Sequence, residues 1–178
     1  MAILVSFVKW NGKEGLDVWA QLANKLELCY TFAICSDVQG ENDMKKVVVI
    51  DGRSGRTGQL FIERIKAAQL PCEIIAIGTN AIATSAMLKA GAEAGATGEN
   101  PVIVACRSAD VIAGPIGILA ADSLMGEVTP AMAVAVGQCN ATKLLFPVSH
   151  CNNVVVGTQS LTLSKLMDEA VDLLRTML

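Results

Sequence analysis

The chain has 178 residues, of which 52% are hydrophobic and 17% charged, and its formal net charge is −3. Such an apolar composition, with a mean hydropathy of +0.48, excludes an intrinsically disordered protein, because burial can offset the entropy lost on folding. The longest apolar runs contain glycine or stop well short of the ~20 residues that span a bilayer. We therefore expect a soluble, folded protein that does not bind membranes.

Charge and cysteine content narrow the possible partners. Residues 1–43 carry three Lys and six acidic residues, whereas residues 44–178 carry eleven basic and eleven acidic residues. The main body has no basic stripe, so nucleic acid is not expected as a partner. The six cysteines include no C-x-x-C pair, which indicates buried thiols in a reducing compartment and predicts no metal site. The N-terminus does not resemble a signal peptide, and a cytoplasmic location is expected.

A change in composition at Met44 suggests a domain boundary. Five of the seven aromatic residues lie in the first 43 positions. We predict an N-terminal extension over residues 1–43 and a single domain over residues 44–178. Two interpretations of the extension stay open: a native segment whose helix packs on the domain, or the product of an upstream start codon that the native protein lacks.

From Lys46 onward, short β-branched runs alternate with helical patterns, which is typical of a parallel sheet covered on both faces. The predicted fold is a single α/β domain of the Rossmann-like, doubly wound type, with a mostly parallel sheet of about six strands. The strands are predicted at residues 47–51, 73–77, 101–106, 110–114, 144–148 and 154–157. The helices are predicted at residues 57–68, 81–89 and 129–138 and from residue 162 to the C-terminus.

Right-handed crossovers place every strand-to-helix loop at one edge of such a sheet, where doubly wound folds bind ligands. The loops expected to line this crevice are residues 51–58, 78–80, 107–108, 114–117 and 149–153. Candidate functional residues are therefore sought in these loops.

The first of these loops has the pattern G-x-x-G-x-x-G between a strand and a helix, which is the context of a phosphate-binding turn. Gly52 would allow the tight turn, Gly55 the approach of a pyrophosphate, and Gly58 the close packing of helix on strand. The alternative is a tight turn without a ligand. The predicted cofactor-binding residues are Asp51, Gly52, Arg53, Ser54, Gly55, Arg56, Thr57 and Gly58 in this loop, with Thr79, Asn80 and Gly114 nearby.

The residues after the second predicted strand indicate the nature of the cofactor. An acidic residue there usually binds the ribose 2′-hydroxyl of NAD, but the sequence at residues 78–80 is Gly-Thr-Asn. The absence of this acid, together with Arg53 and Arg56, favours NADP(H) over NAD(H).

Three residues are candidates for acid–base chemistry. His150 is the chain's single histidine and comes after the fifth predicted strand, and histidine titrates near neutrality. Asp122 and Glu127 lie in the Gly- and Ala-rich segment before Thr129. For each, a solvated surface role is the alternative. Asp51 could either hold a phosphate-bound Mg²⁺ or cap the turn, and capping is favoured.

Several longer motifs resemble a bacterial family defined as domain of unknown function 3842. They are VVVIDG at residues 47–52, GTNAIATSAMLKAGA at 78–92, GATGEN at 95–100, GPIGI at 114–118 and MGEVTP at 125–130. The resemblance extends from Met44 to about Val171 and implies a Rossmann-like fold but no known activity. It also implies a shared polar site at Asp51, Gly52, Thr79, Asn80, Gly114 and Glu127.

We therefore expect a Rossmann-like protein that binds a dinucleotide or phosphorylated nucleotide, for example a small NADP(H)-dependent oxidoreductase. The alternative is a non-catalytic nucleotide-sensing or protein-interaction module. Because a cofactor domain alone leaves its crevice open, we also expect a homodimer, with the helix after Thr129 or the C-terminal helix at the interface.

Overall fold

The predicted alternation of strands and helices is present in a computed structural model of the protein, which describes residues 44–148, 155–156 and 162–178. The strands are β1 (Lys45–Asp51), β2 (Cys72–Gly78), β3 (Ala94–Thr97), β4 (Val111–Pro115) and β5 (Thr142–Phe146). The helices are α1 (Arg56–Ala67), α2 (Ala81–Lys89), α3 (Glu99–Ala105), the short α4 (Ser123–Gly126), α5 (Pro130–Gln138) and α6 (Leu163–Met177). A 3₁₀ turn (Ile116–Leu119) comes after β4.

The five strands form one sheet in the order β3-β2-β1-β4-β5, and every neighbouring pair is parallel. This is a doubly wound, Rossmann-like α/β arrangement, which confirms the predicted fold class. The strand order reverses between β1 and β4. The loops that leave these two strands therefore diverge and open a crevice at the carboxyl edge of the sheet.

Side chains of the central strands point alternately to the two faces of the sheet and belong to two separate hydrophobic cores. Val47 and Val49 of β1 belong to the core beneath α1 and α6, where the rings of Phe61 and Phe146 meet edge to face with their centroids 5.0 Å apart. Val48 belongs to the opposite core, beneath α3 and α5. Because both faces of the sheet are covered, its central strands are continuously apolar, as predicted.

Two predicted strands differ from the observed elements. Residues 101–106 do not form a strand, since α3 occupies them up to Ala105 with Cys106 as its C-cap. Pro101 lies in the first turn of this helix, where proline is tolerated, and Val102 and Cys106 are buried four residues apart. The third strand is instead β3, an edge strand of small residues. The loop at residues 107–108 consequently comes after a helix and does not reach the crevice.

The predicted sixth strand, residues 154–157, lies mostly outside the described residues, and the two described ones, Val155 and Val156, are not in a strand. The sheet formed by the described residues has five strands. The predicted helix starts are confirmed: Thr129 and Thr162 cap α5 and α6 by accepting hydrogen bonds from backbone N–H groups three residues later. Within the described ranges, no helix has the length and apolarity needed to cross a membrane.

Candidate functional site

A pocket of about 130 Å³ lies at the point where the strand order reverses. One wall is the β1–α1 loop, and the other is formed by residues beyond β4 and β5. The lining residues are Asp51, Gly52, Arg53, Ser54, Pro115, Gly117, Leu124 and Val148. The sequence placed the first four of these at a ligand site, and the pocket brings them together.

Asp51 is a buried side chain that caps the N-terminus of α1. It is only 4% exposed, and its two carboxylate oxygens accept hydrogen bonds from the N–H groups of Gly52 (2.8 Å) and Gly58 (2.7 Å). Burial raises the pKa of Asp51, against the lowering effect of these amides. The predicted capping role is therefore present, and the helix start that would receive a phosphate already holds a carboxylate.

The glycines of the loop are needed for packing within the domain. Gly55 has φ +69°, and a Cβ atom there would lie 2.6 Å from the Cα and 2.8 Å from the carbonyl oxygen of Ala83. A Cβ at Gly58 would lie 2.5 Å from Sδ of Met87. Gly55 therefore packs closely against the backbone of α2, and its predicted contact with a pyrophosphate stays a prediction.

Glu127 reaches across the crevice from the segment beyond β4 and binds both loops on the other side. Its Oε2 accepts hydrogen bonds from the Arg53 N–H (2.7 Å), Thr79 Oγ1 (2.5 Å) and Asn80 Nδ2 (3.0 Å). Partial burial opposes ionisation, but these donors and the charge of Arg53 outweigh it and lower the pKa of Glu127. We call Arg53 N–H, Thr79 Oγ1 and Asn80 Nδ2 the donor nest.

The two residues after β2 are fixed by further bonds. The Thr79 N–H donates to the carbonyl oxygen of Asp51 (2.9 Å). Asn80 caps α2 by accepting from the Ala83 N–H (2.9 Å), and its Nδ2 also donates to the carbonyl oxygen of Arg53 (3.0 Å). The donor nest is therefore preorganised by the ends of β1 and β2 and by the start of α2.

The segment that carries Glu127 has an unusual backbone. Asp122, Leu124 and Met125 have φ values of 61°, 54° and 65°, in the left-handed region that side chains normally avoid. Ser123 Oγ anchors the segment by donating to the Gly117 carbonyl oxygen (2.5 Å). This segment leads directly to Glu127, whose side chain lies against the donor nest.

The remaining predicted residues have different outcomes. The side chain of Asp122 is exposed and has no hydrogen-bond or ion-pair partner among the described residues, so it does not join the cluster of Glu127, Thr79 and Asn80. A Cβ at Gly114 would lie 2.3 Å from the carbonyl oxygen of Ile50, which makes this glycine a packing residue. His150 lies outside the described residues.

Sequence reasoning missed one feature of the site. Leu124 forms a buried wall of the pocket, and its position in a strained segment left no periodic pattern to indicate it. Glu127, which the family resemblance placed in one polar site with Thr79 and Asn80, does lie in contact with both, although it is 48 residues beyond Thr79. The described residues contain no group of three or more His, Cys, Asp or Glu side chains that could hold a metal ion.

Comparison with known proteins identifies the family of the chain. No curated protein matches the chain. A family model does match residues 46–178, which is most of the chain and includes every element of the described domain except Lys45, the first residue of β1. The chain therefore belongs to the family described as domain of unknown function DUF3842.

Proposed function

We propose that the crevice between β1 and β4 binds a phosphorylated nucleotide, with the dinucleotides NADP(H) and NAD(H) as the leading candidates. The observation that carries the proposal is the pocket at the strand reversal, which opens directly beside the glycine loop. This is the position at which doubly wound folds hold nucleotides. The proposed ligand would thus bind at the site where proteins of this topology usually bind nucleotides.

In this proposal the arginine side chains, and not the amides at the start of α1, contact the phosphates. Asp51 already accepts from Gly58 and Glu127 from Arg53, so few loop amides remain for an anion. The side chains of Arg53 and Arg56 are exposed, and neither forms an ion pair with a described carboxylate. Guanidinium groups bind phosphate oxygens in pairs, which suits them to this role.

The carboxylate geometry favours a binding protein over a catalyst that uses Glu127. A carboxylate with three donors and a lowered pKa stays ionised at neutral pH and is a poor general acid or base. Oxidoreductase chemistry would then depend on His150 or Asp122. The non-catalytic alternative, a nucleotide-sensing or interaction module in the cytoplasm, is the second candidate that this observation favours.

The proposal is tested on the purified full chain. Native mass spectrometry and absorbance should detect a co-purified nucleotide, and titration calorimetry should give a Kd for NADH or NADPH. The double variant Arg53→Ala with Arg56→Ala should weaken binding about tenfold or more, since it removes two charge-assisted contacts. Lys89→Ala with Arg175→Ala, which removes the same charge at the far ends of α2 and α6, is the control. Failure of the wild type to bind any nucleotide would overturn the proposal.

We also propose that the protein is a homodimer that uses the surface formed by α3 and α5. The apolar face of α6 is already buried in the core of the same chain, through Met167, Val171 and Leu174. By contrast, Val134 of α5 is 53% exposed and Val104 of α3 is 46% exposed, and a groove of about 610 Å³ lies between these helices. Of the two helices predicted at the interface, the structure favours α5.

Light scattering at micromolar concentration tests the dimer, on chains that begin at Met1 and at Met44. Val134→Glu should shift the mass towards the monomer, because it buries a charge in the interface. Leu173→Glu on α6, at a site of equal exposure (52%), should leave the dimer intact. A monomeric wild type would refute the dimer, and dissociation by Leu173→Glu alone would assign the interface to α6.

A further inference from the structure

Three donors from two loops, one after β1 and one after β2, converge on one oxygen atom at the end of β2. They are the members of the donor nest, and all of them bind Oε2 of Glu127. In the described part of the structure, the other carboxylate oxygen, Oε1, accepts no hydrogen bond. Glu127 therefore satisfies the nest with one oxygen and, as a partly exposed side chain, keeps the other available for a ligand.

The end of β2 is where doubly wound folds contact the ribose of a bound dinucleotide. An acidic side chain at this place accepts hydrogen bonds from the ribose 2′-hydroxyl, whereas a 2′-phosphate needs hydrogen-bond donors and positive charge. Residues 78–80 provide no acid. Glu127 delivers a carboxylate to this position from the opposite side of the crevice.

We propose that Glu127 determines the class of nucleotide that the site accepts, by excluding a 2′-phosphate and selecting an unphosphorylated ribose. This inference rests on the proposed function and reverses the preference for NADP(H) that the arginines alone suggested. The ligand would then belong to the NAD(H) class, with its ribose hydroxyl groups directed at Oε1 of Glu127.

Space and charge both support this selection. A phosphate at the end of β2 would need the same hydrogen-bond donors that Glu127 already occupies. The space beside the nest is tight, since a Cβ atom at Gly52 would lie 2.5 Å from Thr79 Oγ1 and 2.6 Å from Oε2 of Glu127. A 2′-phosphate beside an ionised carboxylate would also be repelled, and solvent and salt would screen the two charges only in part.

The test measures the affinities of NADH and NADPH for the full-length wild type and for Glu127→Gln. Glutamine has the same shape and can still accept from the nest, but it carries no charge. We expect the wild type to bind NADH at least about tenfold more tightly than NADPH. Glu127→Gln should reduce this ratio by about tenfold or more, mainly by improving the affinity for NADPH. Glu63→Gln, on the exposed face of α1, removes the same charge and should leave the ratio unchanged.

A second pair of probes, 5′-AMP and adenosine 2′,5′-bisphosphate, isolates the 2′-phosphate from the nicotinamide half. The wild type should prefer 5′-AMP, and the preference should weaken at high salt because repulsion is screened. Preference of the wild type for the 2′-phosphorylated member of either pair would overturn the inference, as would an unchanged ratio in Glu127→Gln. Those outcomes leave nucleotide binding standing, whereas failure to bind any probe would overturn the proposed function as well.

Discussion

Asp51 and Glu127 both accept hydrogen bonds from N–H groups of the glycine loop, but they differ in burial and in how far along the chain their donors lie. Asp51 ends β1, is nearly fully buried, and accepts from residues one and seven positions further along the chain. Glu127 is partly exposed and accepts from Arg53 and Asn80, 74 and 47 residues earlier. Burial outweighs the hydrogen bonds at Asp51 and raises its pKa. At Glu127 burial is again the largest single effect, but the hydrogen bonds and the charge of Arg53 together outweigh it and lower the pKa.

From this difference we expect Asp51 to act mainly on the stability of the domain and Glu127 mainly on the choice of ligand. A buried carboxylate on local amides stabilises the loop but has no oxygen free for a ligand. A partly exposed carboxylate in a nest of donors gives less stability, and in our proposal it controls which groups approach the nest. Mutations on the Asp51 side should therefore change stability most, and mutations at Glu127 should act mainly on ligand selection and on pH dependence.

The largest effect is expected from Gly55→Ala. The substitution places a Cβ against the backbone of Ala83, which cannot move aside, at a residue with φ +69°. Overpacking and left-handed strain together should lower the free energy of unfolding by about 3 kcal/mol, measured by urea denaturation. Gly137→Ala in α5 is the matched control: no atom lies within 4 Å of its added Cβ, and alanine should stabilise the helix by about 0.5 kcal/mol. Equal stability of Gly55→Ala and the wild type would contradict the packing described for the loop.

A smaller loss is expected from Asp51→Ala. The Gly52 and Gly58 N–H groups would lose their buried acceptor, which should cost about 2 kcal/mol of unfolding free energy. Asp51→Asn keeps one acceptor oxygen and should recover part of the loss. Calorimetric melting of the three proteins at one pH checks this order, and an alanine variant more stable than the asparagine variant would rule out the capping role.

The pH dependence of Asp51 results from its raised pKa. A group whose pKa is higher in the folded than in the unfolded state adds stability below the unfolded value, and this is lost as the pH rises through the folded pKa. The difference in unfolding free energy between wild type and Asp51→Asn should therefore fall from acid towards neutral pH. Urea titrations across that range measure the slope, and a slope of opposite sign would show that the amides outweigh burial.

Local patterns in the sequence were enough to predict much of the fold. The β-branched run that ends at Asp51 fixed β1, and Asn80, Thr129 and Thr162 stand where α2, α5 and α6 begin. Each of these features depends on contacts between residues close together in the chain, so the residues that form the contact also form the sequence pattern. The glycine spacing predicted a tight turn into α1 for the same reason, although its packing partner, Ala83, could not be seen.

Features that depend on distant contacts could not be predicted. The strand β3 consists of small, exposed residues and owes its place to pairing with β2, and Pro101 obscured the start of α3. Only the family resemblance grouped Glu127 with Thr79, because their contact joins residues 48 positions apart and no local pattern indicates it. The strained backbone at Leu124 and Met125 also has no signature in residues that ordinarily avoid that conformation.

The smallest effect on stability is expected from Glu127→Gln. Glutamine retains an acceptor for the donor nest but loses the charge, so at neutral pH the variant should be less stable by about 0.5 to 1 kcal/mol. Because folding lowers the pKa of Glu127, its contribution is present above the unfolded pKa and disappears as the pH falls through the folded pKa. The difference between wild type and variant should thus grow from acid to neutral pH, opposite in sign to that of Asp51→Asn. Urea denaturation from about pH 3 to pH 7 measures how the stability differences of Asp51→Asn and Glu127→Gln from the wild type change with pH. Glu63→Gln is the control that shows the effect of the charge change alone. If the two slopes have the same sign, Asp51 and Glu127 do not divide the roles in the way that their hydrogen bonds indicate.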